Sequence, residues 1–236
     1  MYTRVISYIT DPQPRKSEAA GSPKIPRKSA KAIAVAAFSV AAWLSLSAAG
    51  MRIVLEHEFG QGLRASAPRS WPAESAIERA RDRATLVMLA HPHCPCTRAS
   101  IGELSAIMAR GQGLIAAYVL FIRPEGVPDD WTRTDTWRKA SSIPGVRVIA
   151  DDHDVEARLF GALTSGQVLL YDRDGLLAFS GGITQSRAHY GDNEGVEAIL
   201  SIVTSGAAAR HETAVFGCPL FGPRLARVDR IEPCNK

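Results

Sequence analysis

The stretch AIAVAAFSVAAWLSLSAAGM, residues 32–51, contains no charged side chain in 20 positions. Coiled as an α-helix it is about 30 Å long, the hydrocarbon thickness of a bilayer. Trp43 suits a position towards one interface, and Arg52 closes the stretch. Residues 1–31 carry seven Lys or Arg against Asp11 and Glu18. With the positive charge before the span, the N-terminus is expected in the cytoplasm and residues 52–236 outside it. A cleaved signal peptide competes with this reading, because Ser45, Ser47 and Ala49 have cleavage-like spacing. Its basic leader would be about 30 residues, however, longer than such leaders usually are. A buried core helix fits such one-sided flanks poorly. The expectation is an uncleaved single-pass anchor in the inner, cytoplasmic membrane.

The charge of the remainder restricts its partners. Of 28 basic and 24 acidic residues, 21 and 22 respectively lie after residue 31. A part this close to neutral offers no basic stripe for nucleic acid, and no such partner is expected. All four cysteines, Cys94, Cys96, Cys218 and Cys234, follow the apolar stretch. They share one compartment, periplasmic or extracellular, where oxidising conditions favour disulfide chemistry.

The chain divides into a disordered basic cytoplasmic tail (1–31), the transmembrane helix (32–51), a tether (52–70), a folded domain (71–205) and a C-terminal tail with two cysteines (206–236). Within the domain, AESAIERARDRA (73–84) has helical spacing, and TLVMLAHP (85–92) reads as a strand buried on both faces. From Thr97 a helix places Ile101, Leu104, Ile107 and Met108 on one face and stops at Gly111. Strands at 114–122 and 146–152 are each followed or preceded by short helices, TRTDTWRKASS and HDVEARLFGA. Residues 167–182 read as a hairpin with its turn at Asp172–Gly175, and GVEAILSIVTSG as a closing helix. The order is β-α-β-α-β-α-β-β-α.

Between the first strand and the first helix stands HPHCPC, residues 91–96. A cysteine at a helix start faces free backbone N–H groups and the positive end of the helix dipole, both of which favour thiolate, the attacking species in disulfide exchange. His91 and His93 can lower its pKa further when protonated, or take a proton when neutral. The alternation H-x-H-C-x-C also suits copper or zinc, with His91, His93, Cys94 and Cys96 as ligands. Equally, HxH in a strand arises as two polar residues on one face. Three pairings are open: Cys94–Cys96 in a small strained ring, either of these with Cys218, or Cys218–Cys234 as a staple of the tail. In the second half, SGGITQSRAHYGDNEG (180–195) is expected near Cys94, where Arg187 and His189 could supply charge. The plainer alternative is a helix-start loop capped by Asp192 or Asn193.

The element order, the cysteines at the strand end, Glu103–Leu104 and YDRDG in the hairpin together resemble the thioredoxin-like superfamily, as elaborated in membrane-anchored thioredoxins and peroxiredoxins, over about residues 71–205. More narrowly, HPHCPCTRASIGEL, TSGQVLLYDRDG and FSGGIT resemble RedB-like proteins. The resemblance implies a three-layer α/β fold around a central mixed sheet. It implies thiol–disulfide exchange without a cofactor, between a thiol- or disulfide-bearing protein substrate and a redox partner. Matching Glu103–Leu104 to the family puts Cys94 in the attacking position and Thr97 in the usual resolving position, so Cys96 is an extra thiol and the nearest resolver. It also puts Gly166 where the family has a proline, which would leave a bare backbone edge beside the cysteines. A copper or zinc site and a degenerate, non-catalytic binding domain are the alternatives.

Overall fold

The computed structural model describes residues 29–63 and 66–222. The basic stretch 1–28 and Cys234 lie outside them. Helix α1, Ala30–Phe59, holds the uncharged stretch and is long and apolar enough to cross a membrane. It continues past residue 51, so the first eight residues of the expected tether are helical, with Arg52 and Glu56 paired one turn apart at 2.7 Å.

Among the described residues, the rest of the chain is built on five strands. They are β1 (Ala84–Ala90), β2 (Ile115–Arg123), β3 (Val146–Asp152), β4 (Gln167–Tyr171) and β5 (Leu177–Gly181), in spatial order β3-β2-β1-β4-β5. β1, β2 and β3 run parallel, β4 is antiparallel to β1, and β5 is antiparallel to β4. The apolar runs form the centre because a strand with helices over both faces has no polar side to show. Alternate residues of β1 divide between two cores. Leu86, Met88 and Ala90 pack with Leu104 and Ile107 of helix α2 (Pro95–Arg110) and Ile199 of the closing helix α5 (Glu194–Ser205). Val87 and Leu89 pack on the opposite face with Phe160 and Tyr171. Helix α3 (Asp135–Ser141) lies over the first face and α4 (Val155–Leu159) over the second.

The second face is closed largely by chain without regular structure, and here the sequence expectations need correction. Residues 73–83 are not helical. Buried Glu156 accepts from Ser75 Oγ at 2.7 Å and from the Ala76 N–H at 2.8 Å, and Thr85 Oγ1 accepts from the Ala80 N–H at 3.0 Å. Tertiary partners take the hydrogen bonds a helix would have made, which leaves the segment long enough to cross the sheet with Ile77 buried. The boundaries at 70 and 205 also differ. The Leu177 N–H donates to Arg69 O, the Gly62 N–H to Val215 O and the Leu220 N–H to Leu163 O. Leu220 and Phe221 are buried in the second core. Both flanks, to residue 222, are therefore part of the folded unit.

Candidate functional site

The site begins where β1 ends. Cys94, with extended backbone, caps α2, and Pro95 occupies the first helical position, where its missing N–H costs nothing. The positive end of the dipole of a 16-residue helix therefore lies at Cys94, and the backbone N–H groups of Cys96 and Cys218 also favour its thiolate. Opposite stands Cys218, its Sγ 3.1 Å from Cys94 Sγ. Cys94, Cys96 and Cys218 are free thiols. Hydrogen bonds from the Cys96 thiol, and then from Cys218, draw the Cys94 pKa down to about 4 against the opposing effect of burial. Cys96 is pushed up, chiefly by its bond to Cys94, and Cys218 is pushed up to about 11, first by burial and then by its bond to Cys94. Of the three sulfurs, Cys94 is therefore the one whose thiolate the cluster favours.

Thr97 stands in the helix turn after Cys94, fully buried. Its Oγ1 donates to His91 O at 3.0 Å and lies 2.9 Å from Ser165 Oγ, which in turn accepts from the His91 N–H at 2.9 Å. This network fixes the strand end on which Cys94 sits. His91 and His93 lie on the other side of it, edge-on to Trp131 with ring centroids at 5.3 and 4.9 Å. His91 Nδ1 accepts from the His93 N–H at 3.2 Å, and burial lowers the His91 pKa. Among the described residues no three His, Cys, Asp or Glu side chains are grouped to hold a metal ion.

Gly166 has φ +89° and its N–H donates to Leu89 O at 2.8 Å, the last rung of the β1–β4 ladder. The edge preceding it is not bare. The Ser165 N–H donates to Cys218 O at 2.8 Å and the Leu220 N–H to Leu163 O at 2.9 Å, around an antiparallel Thr164–Pro219 bridge. This short strand of tail is what delivers Cys218 to Cys94.

The loop after β5 forms the rim. Arg187 donates from Nη1 to Gly217 O at 2.7 Å, and its charge favours the Cys218 thiolate. Ala188, at φ +56°, turns its backbone N–H to Cys96. His189 is exposed and its N–H closes a turn on Ser186 O, so of the two expected rim residues it is Arg187 whose charge acts on the cluster. Asn193, not Asp192, caps α5 through the Val196 N–H at 2.9 Å. Glu103 of α2 ties the rim down by accepting from the Gly191 N–H at 2.5 Å.

No protein-family model matches the chain, and no curated protein sequence matches it. Among solved structures, an uncharacterized conserved protein from Geobacillus kaustophilus superposes with a TM-score of 0.51 at 18% identity, over 70% of this chain and 94% of its own. A hypothetical protein from Sinorhizobium meliloti gives 0.48 at 18% identity, over 67% and 92%. A secreted disulfide oxidoreductase from Mycobacterium tuberculosis gives 0.38 at 13%, over 53% and 83%. The strand order β3-β2-β1-β4-β5, with cysteines where β1 meets α2, decides the class. The fold is thioredoxin-like.

Two parts of this thioredoxin-like site escaped the sequence reading. Ser165 stands beside Gly166 in LTSGQ, and a serine next to that position could have been singled out. Trp131 comes from the 3-10 turn Asp129–Thr132, far along the chain, and nothing in its local sequence points to the histidines.

Proposed function

We propose that this protein is a membrane-anchored thiol–disulfide oxidoreductase working outside the cytoplasm, with Cys94 as nucleophile and Cys218 as the resolving thiol. The observation that carries the reading is the 3.1 Å approach of Cys218 Sγ to a Cys94 sulfur held at a helix start. In the reductive direction, the Cys94 thiolate attacks one sulfur of a substrate disulfide and the other leaves as a thiolate that takes a proton. Cys218, giving up its proton, then attacks Cys94 Sγ, forms the Cys94–Cys218 disulfide and releases the first substrate sulfur. Two electrons pass to the substrate, and a dithiol partner restores the pair; the same steps reversed oxidise a dithiol. Cys96, expected as the nearest resolver, would have to close a ring across Pro95, and its role here is to donate to the Cys94 thiolate. The RedB-like resemblance of HPHCPCTRASIGEL and the positive charge before α1 support the reading and its placement. The copper or zinc alternative draws no support from imidazoles turned to Trp131.

Trapping tests this assignment. With a protein disulfide substrate, Cys218→Ser should accumulate a mixed disulfide at Cys94, Cys96→Ser should turn over, and Cys94→Ser should do neither. Accumulation in Cys96→Ser alone makes Cys96 the resolver, and no adduct in any variant removes the redox reading.

A further inference from the structure

The Cys94 sulfur is activated but covered. Cys94 is 4% exposed, and the side not enclosed by α2 is taken by Cys218. Residues 217–221 occupy the space beside it as long as they hold the Leu163–Ser165 edge.

The fit of those residues to the edge is specific. An added Cβ at Gly217 would stand 1.9 Å from Ser165 O, a backbone atom that cannot swing aside. At Pro219 the chain is at the non-hydrogen-bonded position of the antiparallel bridge, where a backbone N points away from the edge, so the missing N–H costs nothing. Leu220 donates the second backbone bond and is buried, as is Phe221. The segment Gly217-Cys218-Pro219-Leu220-Phe221 thus reads as a ligand for this edge: glycine, then the reacting cysteine, then a residue needing no N–H, then apolar anchors.

From this we infer that Gly217–Phe221 is a tethered occupant of the Leu163–Ser165 edge, which an extended, cysteine-bearing segment of a partner polypeptide must displace before Cys94 can attack it. The inference rests on the proposed exchange at Cys94 and adds how the exchange is sequenced. The tail leaves, the partner segment adds to the edge as a strand, and its disulfide is attacked by Cys94. Return of the tail brings Cys218 to Cys94 Sγ and pushes the partner strand off, so that resolution and release of the reduced partner are one event. Residues 211–215 keep the tail close throughout, because the Ser180 N–H donates to His211 O and the Gly62 N–H to Val215 O.

The test uses the full chain in detergent and a synthetic peptide Gly-Cys-Pro-Leu-Phe whose cysteine carries a chromogenic aryl thiol as a mixed disulfide. Release of the aryl thiol reports attack by Cys94. Gly217→Val unseats the tail, so the half-saturating peptide concentration should fall about tenfold or more as the open fraction rises. An unchanged or raised value in Gly217→Val overturns the inference.

A second measurement needs no unseating variant. In Cys218→Ser carrying the peptide as a disulfide on Cys94, hydrogen exchange should speed at the Leu220 amide, whose partner is lost. The Ser165 amide should stay protected, because the peptide takes over its bond. Continued protection of Leu220 means that the peptide sits elsewhere and overturns the inference. Absence of aryl thiol release from every form, with a small chromogenic disulfide as well as with the peptide, is instead a failure of the exchange reading.

Discussion

Cys94 is subject to opposed influences. Burial alone would raise its pKa, yet bonds from Cys96 and Cys218 bring it to about 4 from an ordinary 9.0. A group whose folded pKa is depressed adds stability above its unfolded pKa and loses that contribution as pH falls through the folded value. The difference in melting temperature between reduced wild type and Cys94→Ser should therefore widen in favour of wild type as pH rises from about 4 to about 9. Ultraviolet thiolate absorbance over the same range should show one thiolate already formed at neutral pH. Cys218, pushed up to about 11, ionises only later. A difference independent of pH, or a first thiolate appearing only near pH 9, means that the sulfur is not activated. The sequence placed a cysteine at a helix start, which supplies part of the activation. It could offer Cys218, 124 residues away, only as one of several pairings.

At the scale of elements, the junctions decide the chemistry more than the elements do. β1, α2 and the β4–β5 hairpin were legible because each carries a strong local pattern: a continuous apolar run, a helical stripe ending at Gly111, and an Asp172–Gly175 turn in which Asp172 Oδ1 accepts from the Asp174 and Leu176 N–H groups. The turn before β4 was legible only in part. Gly166 was recognised as standing where a proline was expected, but not its purpose, which is to combine φ +89° with a donated N–H. Proline can supply neither. Gly166→Pro should cost about 2–4 kcal/mol through strain and a lost rung, lowering the melting temperature by roughly 5 °C or more. Gly166→Ala keeps the N–H and should cost less, although its Cβ meets Ser100 Oγ at 2.9 Å. A proline variant as stable as wild type would show that this rung carries no weight.

For the whole molecule, the consequential asymmetry is of charge about one apolar helix. Seven basic residues precede the uncharged stretch, and those after it nearly cancel. A reporter enzyme fused after Lys236 should therefore be active outside the cytoplasm and remain in the membrane fraction. A soluble product beginning near Gly50 would make the span a cleaved signal, and an active cytoplasmic fusion would reverse the topology. The expected exchange chemistry depends on this placement, because the compartment sets whether a dithiol is oxidised or reduced.

What the sequence determined by itself is whatever short-range patterns encode. The apolar stretch, the alternation of buried strands with helices and the cysteine at a helix start all depend on neighbours within a turn or two, and periodicity exposes them. What only the tertiary structure decided depends on partners distant in the chain. Glu156 takes the hydrogen bonds of Ser75 and Ala76 and so removes an expected helix. The His91 and His93 rings pack edge-on to Trp131, which is far along the chain. The tail closes on the Leu163–Ser165 edge and brings Cys218 to Cys94. Backbone groups with no local partner will take any partner the fold supplies, and sequence patterns do not record which one that is.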